Sequence, residues 1–580
     1  MKTINVTIDK NENEYFQVTF PYQLDIIDAI RKIPLRKFDP KTKSWLIKAE
    51  APTVEYINVF SKYFNFDITK EAQELLTRLS TPADENPIII NDDFSDLKMQ
   101  LYPFQREGVL QAMKFEKCLI ADQMGLGKSA QSIVAVEKLN AYPCLVICPA
   151  SLKLNWEREI NLWINRNNII ISGCKEADTY HADFVIINYD ILSKHIDFLK
   201  DINFKSIILD ESQLIKNRKS GRSKAVKKII KNIKYRFALT GTPILNRPNE
   251  LITQLDVLGR LDMFGGFWTF AKKYCGAIQT HFGWDLSGAT NTEELNSKLK
   301  EFCMIRRLKE DVLTELPSKQ KTYIPIEIDN RPEYNLAVKD FKKWIKKSLI
   351  NVKDYTDEIN KLTHLTASQK KLLIEAKISA RINRTLSAEA LAKIEYLKQI
   401  TSRGKFEKIK EFIDNALEQG VKLVVFAVHK NIQNSLWNTY KDTNAARIFS
   451  EDNMDYRQEN IDKFQNDESC RLMIASLKSG GVGITLTASN TVIFCEFGWT
   501  PADHEQSEDR CHRIGQKNSV NSYYLLGKDT IDESILELID KKRSISDSII
   551  DGKNNVQKIN DIEEIINTFM NLSLKKTHDV

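Results

Sequence analysis

Short apolar runs, each bounded by polar or turn residues, alternate with segments of helical spacing from Leu101 onward. Five runs come first and four follow after a long interval: KCLIAD, CLVICP, FVIINY, SIILDE and RFALTGT, then KLVVFAVH, RLMIAS, TVIFCEF and SYYLLG. Solid apolar runs of this length are typical of parallel strands that are buried on both faces. The alternation therefore predicts an α/β fold with two parallel-sheet domains, over 98–325 and 401–545.

The first 90 residues follow a different pattern. Strand-like alternation occurs in EYFQVTF, helical spacing in LDIIDAIRKI, and a turn followed by a strand in FDPKTKSWLI. The stretch STPADENP has the proline and polar residues of a linker. We therefore expect a small α/β domain over 1–90, joined to the rest by a linker.

Two further segments have helical spacing. Residues 326–400 contain DFKKWIKKSLI and ASQKKLLIEAKISARI, which are rich in lysine and poor in glycine. They predict a helical insertion, whose basic face is either simply solvated or turned toward DNA. TIDESILELIDKKRSISDSII predicts one more helix near the end of the second domain, and 546–580 a helical C-terminal tail.

Composition excludes few classes of function. Hydrophobic residues make up 42% and charged residues 28% of the 580, and 84 basic against 78 acidic residues leave a net charge of +6. This small excess does not by itself indicate nucleic-acid binding. The nine cysteines form no CxxC pair, which favours reduced thiols over a zinc site. We expect an intracellular protein without a membrane span, cytoplasmic or at the nucleoid in a bacterium or virus and nuclear in a eukaryote.

The stretch DQMGLGKS follows the apolar run KCLIAD and precedes the helical pattern SAQSIVAVEKL. A glycine turn between a strand and a helix directs backbone N–H groups at the phosphates of a nucleotide. The residues predicted to hold the nucleotide here are Gly125, Leu126, Gly127, Lys128 and Ser129. Lys128 would reach the outer phosphates and the Ser129 hydroxyl would bind Mg²⁺. Asp122 stands where the general motif has its first glycine.

Acidic and amide side chains near other strand ends complete this prediction. Asp210 ends the run SIILD and suits Mg²⁺ binding, and Glu211 beside it suits orienting or deprotonating a water molecule. An ordinary acidic pair at a strand end is the alternative, which the nearby GLGKS makes less favoured. Gln105 precedes the first strand, and its amide could pair with the edge of an adenine. LTGTP ends another strand and could sense the terminal phosphate.

The second parallel-sheet domain carries a glycine-rich stretch, SGGVGITL, and a basic one, EDRCHRIGQ. We expect the first to be a turn that opens a helix and suits phosphate. Arg510 and Arg513, three residues apart, would share one helical face and supply positive charge to a phosphate in transit. The alternative is a surface helix with ion pairs to Glu505, Glu508 and Asp509.

These stretches, in this order, resemble the Swi/Snf-type DNA-translocase family of superfamily-two helicases. The resemblance runs from Gln105 to Gln516, and its most specific parts are RRLKEDVL with LPSK, and EDRCHRIGQ. It implies two RecA-like lobes, ATP hydrolysis with Mg²⁺ in the cleft between them, and double-stranded DNA bound across both. The ATPase residues that it implies are Lys128, Ser129, Asp210, Glu211, Arg510 and Arg513. Gln123 and Gln213 depart from the family's acidic residue and histidine.

The N-terminal stretch FPYQLDIIDAIRKIPLRKFDPKTKSWLI resembles the HARP-type domain of the annealing-helicase branch, as does FAVHK at 426–430. This resemblance implies recognition of forked DNA, and the alternative is a small domain that merely packs on the first lobe. The expected function is a DNA-dependent ATPase that translocates on duplex DNA, with remodelling or annealing of forks as a further role. Ser151, Asn155 and Lys430 are the candidate DNA contacts. A strand-separating helicase, a restriction-system motor and a non-hydrolysing ATP-switched clamp are the other hypotheses.

Overall fold

A computed structural model describes residues 2–9, 14–31, 33, 35–49, 51–80, 93–173, 182–244, 247–280, 283–313, 315–341, 343, 366, 387–480 and 484–550. In these ranges the strands form three larger sheets and a two-stranded ribbon. The strands are β1 Thr3–Ile8, β2 Glu14–Thr19, β3 Arg36–Asp39, β4 Ser44–Lys48, β5 Asp67–Ile68, β6 Lys117–Ile120, β7 Cys144–Cys148, β8 Asn168–Ile170, β9 Phe184–Asn188, β10 Ser206–Asp210, β11 Tyr235–Leu239, β12 Ile278–Thr280, β13 Gly283–Asp285, β14 Met304–Ile305, β15 Lys319–Ile326, β16 Leu423–Ala427, β17 Ala446–Ile448, β18 Leu472–Ser476, β19 Thr491–Phe494 and β20 Val520–Gly527.

Helices flank these sheets. They are α1 Leu24–Ile30, α2 Ala51–Phe64, α3 Lys70–Ser80, α4 Pro103–Phe115, α5 Lys128–Lys138, α6 Lys153–Trp163, α7 Ile196–Lys200, α8 Gly221–Ile229, α9 Asn249–Leu258, α10 Gly266–Tyr274, α11 Thr292–Phe302, α12 Lys309–Val312, α13 Ser387–Gly404, α14 Phe406–Glu418, α15 Lys430–Tyr440, α16 Met454–Asn466, α17 Leu477–Gly480, α18 Pro501–Glu508 and α19 Ile531–Ile550. The predicted α/β fold class, with parallel-sheet lobes, is confirmed.

The N-terminal sheet has the order β3-β4-β2-β1-β5, with antiparallel pairs except for β1 and β5. In β2 the side chains alternate, so that Phe16 and Val18 are fully buried while their neighbours are not. The side chains of Phe16 and Val18 pack with Ile47 of β4 and Ile57 of α2 in one hydrophobic core. This is the period of two that a sheet with one covered face requires.

The first lobe contains a seven-stranded parallel sheet in the order β14-β6-β11-β10-β7-β9-β8. Its central strands, such as CLVIC in β7, are buried at every position because helices cover both faces. Since β6, β11 and β10 are neighbours, their carboxyl ends meet at one edge. The loops that follow these three strands carry GLGKS, LTGTP and Asp210-Glu211, so the sheet itself assembles the predicted site.

The second lobe contains a six-stranded parallel sheet in the order β15-β20-β19-β16-β18-β17. One strand differs from the sequence prediction. β15 pairs along its whole length with β20, so 319–325 belongs to the second sheet and not to a first lobe over 98–325. KQKTYIPI is a partly exposed edge strand, and a sequence pattern does not tell which sheet an edge strand joins.

Other predicted segments are covered in part. The insertion predicted over 326–400 lies largely outside the described residues, which include α13 at its end. The predicted tail 546–580 is described as far as Ile550, where α19 ends. The division into domains at the remaining boundaries stays a prediction.

Candidate active site

The phosphate-loop motif adopts the conformation that its glycines allow. Gly125 and Gly127 have φ values of 82° and 76°, in the left-handed region where a side chain is strained. Gly127 immediately precedes α5, so the helix begins at Lys128 and its N-terminal N–H groups face the turn. This strand, turn and helix form the arrangement in which backbone donors can surround a phosphate.

Lys128 points back into this turn. Its Nζ donates to the backbone carbonyls of Asp122 at 2.8 Å and Gln123 at 3.3 Å. Burial lowers the pKa of Lys128 to about 8, although the carboxylates of Asp122 and Glu211 oppose that shift. The ammonium therefore lies where phosphate oxygens could replace the two carbonyls as its partners.

The carboxylate of Asp122 holds the phosphate-loop turn in place through buried hydrogen bonds. It is fully buried and accepts hydrogen bonds from Arg307, from Nε to Oδ1 at 3.0 Å and from Nη2 to Oδ2 at 2.5 Å. The backbone N–H of Arg307 also donates to Oδ1 at 3.0 Å, and Gln131 of α5 donates to Oδ2 at 2.9 Å. A carboxylate at this position, which the general motif gives to glycine, thus ties β6, α5 and the segment after β14 together.

Asp210 and Glu211 follow β10 directly. Asp210 accepts from the indole N–H of Trp156 at 2.8 Å and from the backbone N–H of Glu211 at 3.0 Å. Burial, together with the charge of Glu211, raises the pKa of Asp210 to about 7. Glu211 has a φ of 49°, a strained value for a residue with a side chain, and Gln213 donates to its Oε2 at 2.6 Å. The charges of both acids also act on Lys128 of the phosphate loop.

Gln105 contacts the phosphate loop itself. Its Oε1 accepts from the backbone N–H of Tyr102 at 3.0 Å, and its Nε2 donates to the carbonyl of Leu126 at 3.2 Å. A β-carbon on Gly127 would clash with that amide nitrogen. Pairing of Gln105 with an adenine stays a prediction, and it would require the amide to exchange these partners.

The LTGTP loop packs on the phosphate loop from the neighbouring strand. Gly241 lies against Met124 so closely that a β-carbon would clash with the methionine side chain. Arg306 connects the same two loops, because Nη1 donates to the carbonyl of Ala121 at 2.8 Å and to that of Gly241 at 3.3 Å. The phosphate loop and LTGTP are therefore in direct contact and share a hydrogen-bonding partner.

The two arginines of the second lobe do not lie on a helix, so the prediction of a shared helical face is wrong. Helix α18 ends at Glu508, and Arg510 and Arg513 lie in the turns that follow. They nevertheless converge, since Nη1 of each donates to the carbonyl of Ile484, at 3.3 Å and 3.1 Å respectively. Nη1 of Arg513 also donates to the Thr485 hydroxyl at 3.0 Å.

Both arginines face the first lobe. A β-carbon placed on Gly125 would lie 3.6 Å from Cγ of Arg513. Burial, with a contribution from Arg513, lowers the pKa of Arg510 to about 10, and the charges of Glu211 and Asp210 act in the opposite sense. Arg513 thus lies beside the phosphate loop and Arg510 near the acidic pair. A nucleotide held by the first lobe would be approached by both guanidinium groups.

Sequence reasoning missed three lysines that lie in this region. Lys309, Lys319 and Lys321 form ion pairs with Glu508 and Asp509, the acids that immediately precede Arg510. Lys309, Lys319 and Asp509 also line a cavity of about 650 Å³ between the lobes, as does Gln123 of the phosphate loop. One signal in the sequence could have pointed to these lysines, because RRLKEDVL, LPSK and EDRCHRIGQ are the stretches most specific to the family resemblance.

The candidate DNA contacts are spread over two places. Ser151 and Asn155 line a cavity of about 370 Å³ whose other wall includes Arg457 and Gln458 of α16 in the second lobe. Lys430 begins α15, is 72% exposed, and its Nζ lies 3.8 Å from Glu451. These assignments remain predictions.

Part of SGGVGITL lies outside the described residues, at 481–483. The described residues that follow it, 484–490, contain no helix, so this stretch does not open one as predicted.

Within the ranges given above, no cluster of three or more metal-ligating side chains occurs, and the eight described cysteines are buried free thiols. No described helix is both long and apolar enough to cross a membrane.

Comparison with known proteins agrees with the two lobes. The family profile described as SNF2-related domain matches residues 104–371, and the helicase conserved C-terminal domain matches residues 404–515. Domains of these types imply nucleotide binding. Their order along the chain is that of the seven-stranded and six-stranded sheets.

Three curated relatives illustrate the similarity. The SWI/SNF-related matrix-associated actin-dependent regulator of chromatin subfamily A-like protein 1 of Xenopus laevis is 31% identical over 551 residues, 91% of this chain and 53% of its own length. The Homo sapiens DNA annealing helicase and endonuclease ZRANB3 is 30% identical over 498 residues, 83% of this chain and 43% of its own. The Caenorhabditis elegans homolog of the first is 28% identical, with 94% and 76% covered. The chain spans about half the length of the first two relatives.

Among solved structures, the Sulfolobus solfataricus SWI2/SNF2 ATPase core in complex with dsDNA is 28% identical, with 79% of this chain and 94% of that chain covered. Its TM-score is 0.36, which is too low to support an argument from shape. The two matched domains, together with relatives about 30% identical over most of the chain, show the family. The chain belongs to the Swi/Snf-type, SNF2-related family of superfamily-two helicases.

Proposed function

We propose that this chain is a DNA-dependent ATPase that translocates on double-stranded DNA. The observation that carries the proposal is the position of Arg513, which comes from the second lobe and lies beside Gly125 of the phosphate loop, with Arg510 bound to the same carbonyl of Ile484. A phosphate bound at Lys128 would then complete a site that neither lobe holds alone. Such a site couples hydrolysis to opening and closing of the lobes, as a motor requires.

The residues present fit ATP with Mg²⁺. Lys128 and the N–H groups around Gly125 and Gly127 would hold the outer phosphates, and Ser129 with Asp210 would hold the metal. The carboxyl of Asp210, half-buried beside Glu211, is an oxygen donor of the kind that a hard cation prefers. Glu211 would orient the attacking water, and the two arginines would stabilise the charge that develops on the transferred phosphate. Gln105 would contact the adenine.

The proposed partner is duplex DNA, with forked DNA as the finer proposal. The cavity that Ser151 and Asn155 share with α16 lies between the lobes, so a backbone bound there would be displaced when the lobes move. The relatives are named as an annealing helicase and as a chromatin regulator. We propose accordingly that the protein works where its DNA is, in the nucleoid or the nucleus.

The test is the rate of ATP hydrolysis without DNA and with single-stranded, duplex and forked DNA. Duplex DNA should raise the rate, and Lys128→Ala should abolish hydrolysis because the phosphates lose their cation. Lys114→Ala, which removes an exposed lysine of α4 in the same lobe, should hydrolyse ATP as the wild type does.

The other hypotheses predict different results. If no DNA raises the rate, the translocase proposal is wrong. A requirement for a single-stranded tail would favour a strand-separating helicase, and ATP binding without turnover would favour a clamp. Equal stimulation by forked and plain duplex DNA would remove the proposal that forks are recognised.

A further inference from the structure

A buried cluster of opposite charges joins the segment that connects the lobes to the arginine segment. Lys319 Nζ lies 2.9 Å from Glu508 Oε2 and 3.1 Å from Asp509 Oδ1, and Lys321 Nζ lies 3.2 Å from the same oxygen of Glu508. The Tyr524 hydroxyl of β20 donates to the other oxygen of Glu508 at 2.6 Å. The side chains of the two acids are at most 4% exposed, so both carboxylates are desolvated and need these partners.

Lys309 connects this cluster to the phosphate loop. Its Nζ lies 2.9 Å from Asp509 Oδ1 and donates to the carbonyl of His512 at 2.7 Å, so it contacts the arginine segment twice. Its backbone N–H donates to Oε1 of Gln123 at 2.7 Å. A β-carbon on Gly125 would lie 3.4 Å from its Cε and 3.6 Å from its Nζ. One lysine therefore contacts the residues on both sides of the nucleotide position.

The pKa shifts of Lys309 and Asp509 are those of a close, buried ion pair. Burial lowers the pKa of Lys309 to about 8, although Asp509 opposes this. Burial acts to raise the pKa of Asp509, but Lys309 and Lys319 hold it well below the usual range. The carboxylate is therefore charged at neutral pH and fixes the start of the turns that carry the arginines. The backbone tightens there, since Arg510 and Cys511 donate to carbonyls three residues earlier.

We propose that Lys309 is a positioning residue, whose ion pair with Asp509 holds the Arg510–Arg513 turns against the phosphate loop. The inference rests on the proposed ATPase function and assigns a role to RRLKEDVL and LPSK, which supply Lys309 and Lys319. Lys309 acts through the arginines and is not a ligand of the nucleotide. Its loss should leave nucleotide affinity intact and misplace the two guanidinium groups.

The variants are Lys309→Met, which keeps the length of the side chain without its charge, Asp509→Asn, and the double variant. With duplex DNA, each single variant should lower kcat about tenfold or more, while KM for ATP and the Kd of a fluorescent ATP analogue stay within about threefold. Since the Lys309–Asp509 ion pair is lost in either single variant, the two losses should not multiply, and the double variant should retain clearly more activity than the product of the single losses predicts. Lys300→Met, at an exposed position of α11, is the matched control and should leave all constants unchanged.

Hydrogen exchange gives a second readout that does not depend on turnover. Peptides covering 505–516 should exchange about tenfold faster in Lys309→Met than in the wild type or Lys300→Met, while peptides of the central strand β7 stay protected. The proposal is overturned if Lys309→Met leaves kcat and this exchange unchanged, if nucleotide affinity falls instead of kcat, or if the losses of the two single variants multiply. An inactive wild type would contradict the ATPase function, and the exchange result would still decide the role of Lys309.

Discussion

Replacement of Arg307 by methionine should destabilise the first lobe more than any surface substitution. The guanidinium makes two parallel hydrogen bonds to the carboxylate of Asp122, one to Oε1 of Gln131 at 2.6 Å and one to the carbonyl of Phe104. Methionine fills similar volume but leaves the carboxylate with Gln131 and one backbone N–H as donors. The perturbation is therefore a charge left without its counter-charge.

The magnitude follows from burial. Asp122 is 0% exposed and the Arg307 side chain 13%, so water cannot take over the lost bonds. Removing one partner from a buried ion pair costs about 3–5 kcal/mol. Asp122→Asn removes the charge that Arg307 leaves behind, so the double variant should recover about half of that loss or more.

Hydrogen exchange of peptides covering β6 and β11 measures the opening free energy of this lobe separately from the second. Arg222→Met is the matched control, because Arg222 forms the same type of pair with Asp190 but the two side chains are 41% and 57% exposed. That variant should cost less than about 1 kcal/mol. A loss below about 1 kcal/mol for Arg307→Met, or strict additivity with Asp122→Asn, would refute the argument.

Two other substitutions test neighbouring parts of the account. Gly108→Ala should lower the Tm of the first lobe in a thermal unfolding assay, because the new β-carbon would clash with the hydrogen-bonded guanidinium of Arg307. In a helix without such a clash, alanine is favoured over glycine by about 1 kcal/mol. Gly221→Ala, where the space around the glycine is open, should therefore be neutral or stabilising in the same assay, and equal effects of the two substitutions would refute this prediction. Burial acts to lower the pKa of His429, but the carboxylates of Glu395 and Glu496 raise this pKa to about 9. Protonated His429 therefore adds stability in full below about pH 6.5, and that stability is lost as the pH rises through about 9, so the difference in Tm between the wild type and His429→Asn should close between about pH 6 and pH 10. A constant difference would contradict the ion pairs.

The regular elements of both lobes follow from sequence because their strands are solid apolar runs. All nine predicted runs form strands, from Lys117–Ile120 to Val520–Gly527, and a parallel sheet covered on both faces buries such runs at every position. Strand ends then determine the site, because the neighbours β6, β11 and β10 bring Lys128 and Asp210 to one edge. The local apolar pattern was enough to predict these strands, whereas their order in the sheet came from the structure.

Contacts between distant segments were not predictable in the same way. Assigning β15 to the second sheet required knowledge of β20, 201 residues later in the pairing, because the partly exposed strand is not a solid apolar run. The arginines were expected on a helix, but hydrogen bonds from Arg510 and Cys511 to carbonyls three residues earlier tighten the chain after Glu508. The partners of Lys309 likewise depend on how the lobes meet, which no local periodicity encodes.

The central claim is that the two lobes move along intact duplex DNA as ATP is hydrolysed. Displacement of a short third strand from a DNA triplex tests it most directly, because a motor on the duplex pushes the third strand off without unwinding the two strands below. The wild type with ATP should release the third strand and leave the duplex paired, and Arg513→Ala should bind the duplex but release nothing. Failure of the wild type to displace the third strand, or release that coincides with separation of the duplex, would contradict the account.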